Sequence, residues 1–160
     1  MDFHIVQLDI PEGVNAIFGQ AHFIKTVGDL YEVVANGVPG AEFGIAFAEA
    51  SGVCLVRTEG NDLGLVNLAA ENIASISAGH TFLILLRGAY PINILPAVKH
   101  CPEVCRVFCA TASPVQVVVV ETTQGRGVSG IIDGSRPHGI ENDDDKAERR
   151  QLLKNMGYKL

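Results

Sequence analysis

With 160 residues, the chain is long enough for one domain that buries a continuous core without help from disulfides or metal. A formal charge of -6 argues against a general nucleic-acid binder, which needs a basic face, but allows a small anionic ligand held by local cations and backbone N–H groups. Hydrophobic residues make up 48% and charged residues only 19%, an apolar balance that favours a homo-oligomer over a monomer.

The opening MDFHIVQLDI carries Asp2 in place of a basic leader and reaches Pro11 before any signal-length apolar stretch, so no secretion signal is read. The apolar runs at 81–86 and 115–120 fall far short of the roughly 20 residues of a membrane helix. The expectation is a cytoplasmic protein with no membrane partner.

In chain order, residues 3–8 predict a first strand, ended by Pro11 and Gly13. Val27, Leu30, Tyr31 and Val34 fall at helical spacing and predict an amphipathic helix over 26–35, closed by Asn36 and Gly37. Residues 43–49 and 53–59 read as two strands joined by a tight turn at Ser51 and Gly52. Asn61 or Asp62 caps a helix running through Leu63, Ile73 and Ile76 towards Gly79. Strands at 80–87, 104–110, 114–121 and 128–133 follow, with a short helix at 91–99 that contains Pro96. A charged helix over 144–156 ends the chain, with the acidic run 141–145 complementing its start.

Strands alternate with helices, yet two neighbouring strand pairs have connections too short for a parallel crossover, so the sheet is expected to be mixed. Runs as apolar as FLILL and VQVVVV need cover on both sides. The expected fold is therefore an α/β protein, a three-layer α/β/α sandwich forming one domain over 1–160.

The most chemical stretch is QGRGVSGIIDG, residues 124–134, where Gly125, Gly127 and Gly130 satisfy GxGxxG by letter. A dinucleotide fingerprint needs a helix after it, and here a strand follows, so that reading fails on context. A glycine loop between strands can still turn its N–H groups onto phosphate, with Arg126 as a bidentate clamp. A plain hairpin with a glycine bulge and a solvated Arg126 fits the same letters, and both readings stand.

Walker A, the kinase catalytic loop and its metal-binding triplet are absent, which removes ordinary P-loop and protein-kinase mechanisms. Asp62, at a strand-to-helix corner, can accept a hydroxyl proton or hold Mg²⁺, with helix capping as the competing role. In EASGVCLVRTEGND, Arg57 is expected at the opposite end of the hairpin from Glu49 and Ser51. In GQAHFIK, Gln20, His22 and Lys25 are polar points among apolar neighbours: His22 as a proton carrier and Lys25 as a phosphate ligand compete with an edge histidine and a solvated lysine. His80 is read as structural. Cys54 is expected in the core, and the spacing of Cys101, Cys105 and Cys109 matches no zinc or iron–sulfur pattern, so no protein metal site is expected.

Taken together, GVNAIFGQAHFIKTVGDLYE, EFGIAFAEASGVCLVRTEGND, SAGHTFLILL and the long segment from PINILPAVKH to QGRGVSGIIDG resemble the adenosine-specific kinase family, from about residue 2 to 157. The resemblance implies a three-layer α/β/α fold, a homo-oligomer such as a trimer, adenosine, AMP, ADP or ATP as ligand, and phosphoryl transfer to adenosine. Mg²⁺ would accompany ATP, as the reaction class requires. The chemistry of the residues places the Gly125, Gly127 and Gly130 backbone and Arg126 on phosphate, Arg57 as a second cation, and Asp62 or Asp133 as base or Mg²⁺ ligand. A non-catalytic AMP/ATP sensor and a structural oligomer are the alternatives.

Overall fold

The computed structural model describes residues 1–158. Residues 159 and 160, the end of the expected domain, lie outside the described residues. Eight strands and four α-helices follow in the order β1 (Asp2–Gln7), β2 (Val14–Ala21), α1 (Thr26–Gly37), β3 (Glu42–Ala48), β4 (Val56–Gly60), α2 (Leu63–Ile76), β5 (Thr81–Arg87), α3 (Leu95–His100), β6 (Val104–Thr111), β7 (Val115–Glu121), β8 (Arg126–Asp133) and α4 (Asp143–Asn155). A single 3₁₀ turn at Pro91–Asn93 precedes α3, which places Pro96 in the first turn of a helix, where its missing N–H costs nothing.

The strands form two sheets, ordered β4-β3-β5-β2-β6 and β1-β7-β8. Every paired neighbour is antiparallel, which corrects the expected mixed sheet. Helical crossovers do connect strands that run the same way, but each skips one position. Helix α1 joins β2 to β3 across β5, α2 joins β4 to β5 across β3, and α3 joins β5 to β6 across β2. The parallel-running strands therefore never become neighbours.

Two cores lie on the two faces of the larger sheet. On one, Leu30, Val34, Ile94 and Val98 from the α1 and α3 side meet Ile17, Phe43, Phe47, Phe82 and Ile84. On the other, Leu65, Ala69, Ile73 and Ile76 of α2 meet Phe18, Leu83 and Leu85, together with Val115, Val117 and Val119 from the smaller sheet. Cover on this second face is thus shared between one helix and a three-stranded sheet, where helices alone had been expected. The outward side of the smaller sheet leaves Phe3, Ile5 and Ile132 exposed. Among the described residues, no helix is long and apolar enough to cross a membrane.

Strand β2, buried along almost its whole length, has no counterpart among the predicted strands. The β3–β4 hairpin forms, but its strands are joined by residues 49–55, so the expected two-residue turn is replaced by a longer loop. Cys54 sits in that loop, exposed and with φ +51°, so the expectation of a core cysteine is corrected. Its strand-like neighbours Val53 and Leu55 are exposed as well, because β4 begins only at Val56.

Candidate functional site

Antiparallel order gives the protein two ends, and the residues singled out in the sequence divide between them. At one end, β2, β3 and β7 finish while β4, β5, β6 and β8 begin. Gln20, His22, Lys25, Arg57, Gly125, Arg126 and Gly127 all lie there, contributed by three separate stretches of chain. Gly130 is midway along β8, paired with Val118 beside a bulge. Asp62 and Asp133 lie at the other end.

Asp62 is the N-cap of α2, its Oδ1 accepting the Leu65 N–H at 2.8 Å, a role worth about 1 kcal/mol. The 14 residues of α2 separate it from Ser77 by about 20 Å. Asp133 closes β8, whose eight residues hold it about 23 Å from Arg126.

A cleft of about 570 Å³ opens beside the β7–β8 hairpin, lined by Glu49 and Ala50, by Ser77 and Gly79 after α2, and by Thr122, Gln124, Gly125, Arg126 and Gly127. Thr122 N–H donates to the Gly125 carbonyl at 2.9 Å, so residues 122–125 form the hairpin loop and Gly127 and Gly130 are strand residues. Strand β8 is an edge strand whose free side meets the α2–β5 connection through a single parallel bridge, Ala78 to Arg126. In an antiparallel pair only alternate residues exchange N–H···O bonds with the partner, so alternate amides of β8 stay on that free side. A Cβ added at Gly125 or Gly127 would meet no atom within 4 Å, leaving the backbone open to close approach from the cleft.

Arg126 is the cation of this wall. Its Nε and guanidinium nitrogen contact Glu121 Oε2 at 3.0 and 2.9 Å, and Nη1 reaches the Ser75 carbonyl at 3.5 Å, near the C-terminal end of α2 where a positive charge is favoured. His4 lies 2.9 Å from the same Glu121 oxygen.

Across the cleft, Glu49 is clasped at the mouth of the 49–55 loop. Its Oε2 accepts the Leu55 N–H at 2.8 Å and its Oε1 meets Arg57 at 2.8 Å. Arg57 pairs in register with Phe47 and so stands at the loop end of the hairpin, which corrects the expectation that it faces away from Glu49. Its Nε is buried without a hydrogen-bond partner. The Leu55 N–H, then Arg57, hold the Glu49 carboxyl below the usual carboxylate range. The contribution of this clasp is therefore present above the unfolded carboxyl value of about 4.3 and lost as pH falls through the lower folded one. In wild type the Leu55 amide resonance should shift as pH drops below about 4, while Glu49→Gln removes that titration. A Leu55 resonance that ignores acid in the wild type would refute the clasp.

The α2–β5 connection is backbone-strained: Ser77 and His80 adopt φ +55° and +63°, and a Cβ on Gly79 would lie 2.8 Å from that of Ala50. His80 stacks on Phe47 with centroids 5.9 Å apart, and its N–H donates to the Ala48 carbonyl at 2.8 Å, which matches its reading as structural.

Two smaller chambers share walls with the cleft. One of about 190 Å³ lies between the 49–55 loop and the end of α2. The other, about 200 Å³, is lined by Gln20, Thr81, Arg106, Phe108, Arg126 and Gly127, among others. Arg106 and Glu121 are polar residues inside apolar strands, a signal that the sequence reading passed over; the connection at 77–80 was read only as a helix end.

His22 is exposed and stacks on Phe23 at 6.0 Å. Lys25 is bound to Asp29 at 2.7 Å and Glu103 at 3.5 Å, so its charge is already satisfied. Glu103 is 6% exposed; burial opposes its ionisation, but the Cys101 thiol, which donates to its Oε2 at 2.8 Å, and the Lys25 charge hold its carboxyl below the usual carboxylate range. Burial, then the Glu103 carboxylate, pushes the Cys101 thiol up to about 11. Asp29, Cys101 and Glu103 offer ligand atoms within 4.8 Å of one another, and Lys25 pairs with both carboxylates there.

Compared with known families, residues 6–159 match the family model described as adenosine specific kinase. Among solved structures, the chain is similar to the PH1918 protein from Pyrococcus horikoshii OT3, with 45% identity and a TM-score of 0.95 over 99% of this chain and 98% of that one. Comparison with curated proteins gives no match.

Proposed function

Since the chain belongs to the adenosine-specific kinase family, we propose that it binds adenosine and adenine nucleotides in the cleft beside the glycine hairpin and transfers a phosphoryl group from a nucleoside triphosphate to adenosine, giving AMP. The observation that carries this reading is that Arg126 and the open backbone of Gly125 and Gly127 line one cleft of about 570 Å³. That volume lies in the usual range for small-ligand pockets, about 300–1,000 Å³.

Phosphoryl transfer asks a protein mainly for positioning and for neutralisation of charge spreading over the phosphoryl oxygens. A ribose hydroxyl oxygen of adenosine forms the new bond to the terminal phosphorus while the bond from that phosphorus to the departing diphosphate breaks. Backbone N–H groups on the free side of β8 and the Arg126 guanidinium stabilise the phosphoryl oxygens, with Arg126 exchanging Glu121 for phosphate. Of the carboxylates, Glu49 lines the cleft and is held ionised, so it orients the attacking hydroxyl by accepting its hydrogen bond, and the proton passes to solvent as the new bond forms. Mg²⁺ bound with ATP would supply charge neutralisation at the phosphates. Glu49, which lines the cleft, and Glu121, which contacts Arg126 at its wall, are the carboxylates that would hold it, in keeping with a hard ion held by one or two carboxylates and phosphate.

The test is direct: purified protein is mixed with ATP, Mg²⁺ and adenosine, and AMP and ADP are followed. Equal formation of AMP and ADP is expected. Tight AMP binding without turnover would leave a nucleotide sensor, and no binding of any adenosine compound would overturn the reading.

A further inference from the structure

We infer that the 200 Å³ chamber behind the glycine hairpin is an oxyanion subsite, built by Arg106 together with Arg126, that takes a phosphoryl group. This rests on the proposed nucleotide cleft, with which it shares Gly79, Arg126 and Gly127 as walls.

Arg106 is aimed by an irregular strand. It pairs with Gln20 between two register shifts, one where β2 passes from Phe18 to Gly19 and one from Gln20 to Ala21, so Phe108 and Cys105 are extra residues on either side of it. Bulges of this kind redirect side chains and gather beside functional sites. Gly19 makes room for the detour, since a Cβ there would lie 2.5 Å from the Arg106 carbonyl and from the Phe82 ring. Arg106 and Phe108 thereby share a chamber with Arg126, which arrives from the other sheet.

The charges are unbalanced. Two arginines line one small space, and an anion between them would be attracted by both. Glu121 neutralises Arg126, whereas Arg106 has no carboxylate partner among the described residues, in a chain with 18 acidic side chains against 12 Lys and Arg. An exposed guanidinium with no ion-pair partner, lining a chamber that has Gln20 and Thr81 but no carboxylate in its walls, suits a tetrahedral oxyanion. At about 200 Å³ the chamber is smaller than the usual small-ligand pocket, about 300–1,000 Å³, so it takes one group of a nucleotide and not the whole, and its two arginines select the phosphoryl. A nucleoside in the larger cleft would then reach its phosphates into the smaller chamber past Gly127.

Calorimetric titration of wild type, Arg106→Gln and Arg106→Lys with adenosine, AMP, ATP and pyrophosphate tests this. Arg106→Gln is expected to leave adenosine affinity unchanged and to weaken AMP, ATP and pyrophosphate by about tenfold or more, with part of the loss recovered in Arg106→Lys. Adenosine binding with no loss for any phosphorylated compound in Arg106→Gln would overturn the subsite while leaving the nucleotide reading intact. Pyrophosphate bound through Arg106 with no adenosine compound bound would keep the subsite and overturn the nucleotide reading. A wild type that binds none of the four ligands would overturn both.

Discussion

Replacing Arg126 with Ala is expected to weaken AMP and ATP binding by about 10- to 100-fold while leaving the fold intact, because a charge-assisted hydrogen bond to phosphate carries about 1.5–3 kcal/mol. The two effects separate on energetic grounds. In the free protein Arg126 is spent on Glu121, a pair whose side chains are 27% and 40% exposed, and surface pairs of this kind contribute about 0–1 kcal/mol. Phosphate, arriving with a higher charge density and a second set of donors from the β8 backbone, outcompetes that carboxylate. The exchange has a corollary: Glu121→Gln should tighten AMP binding in the absence of metal, since it removes the competitor and leaves the clamp. Calorimetric titration gives the affinities and urea denaturation the stability. Unchanged AMP and ATP affinity in Arg126→Ala would remove the arginine from the site and with it the glycine hairpin as a phosphate cradle.

Much of the fold was legible because most elements carry a plain apolar pattern. The 3.6-spaced apolar residues of α1 and α2 and the near-continuous apolar runs of β5 and β7 mark them in the sequence, and the structure finds them within a few residues of the expected bounds. Strand β2 was not legible. Buried on both faces between β5 and β6, VNAIFGQA has neither period-2 alternation nor the long apolar run of β5, and its small residues answer to packing: at Gly19 the neighbouring strand and the Phe82 ring leave no room for a Cβ. The antiparallel order was hidden for a different reason. Local spacing reveals that a helix connects two strands; it does not reveal that a third strand will be inserted between them.

The site was legible as residue types and illegible as an arrangement. Glycines and Arg126 stood out because nothing apolar explains them. Arg57 was assigned to the wrong end of its hairpin because the loop was read as two residues, and the true loop over 49–55 shifts the register until Arg57 faces Phe47. Arg106 shows in VCRVFCA only as a charge inside an apolar strand; where it points depends on two bulges, and a bulge leaves no compositional mark. Cleft walls drawn from the ends of β3, α2 and β7 and the start of β8 meet only when both sheets are in place.

That meeting depends on how closely α2 lies on the larger sheet, and Gly44 sets the distance. A Cβ at Gly44 would sit 2.2–2.4 Å from the backbone of Leu65 and Val66, atoms that cannot swing aside as a side chain can. Gly60, its cross-strand partner, is crowded in the same way, with a Cβ only 2.6 Å from the Val66 side chain. Gly44→Val therefore has to lift the first turns of α2 and strip Leu65 and Ala69 of their contacts, at about 3 kcal/mol or more. Against a typical total of about 5–15 kcal/mol this moves the urea midpoint far down or prevents folding. Gly28 supplies the opposite control: it is exposed in α1 with nothing within 4 Å of an added Cβ, so Gly28→Ala should stabilise by about 0.5–1 kcal/mol. A Gly44→Val chain with the wild-type midpoint would mean that α2 does not rest on the sheet this closely. The wall at Ser77 and Gly79, which hangs from the far end of that helix, would then be misplaced along with it.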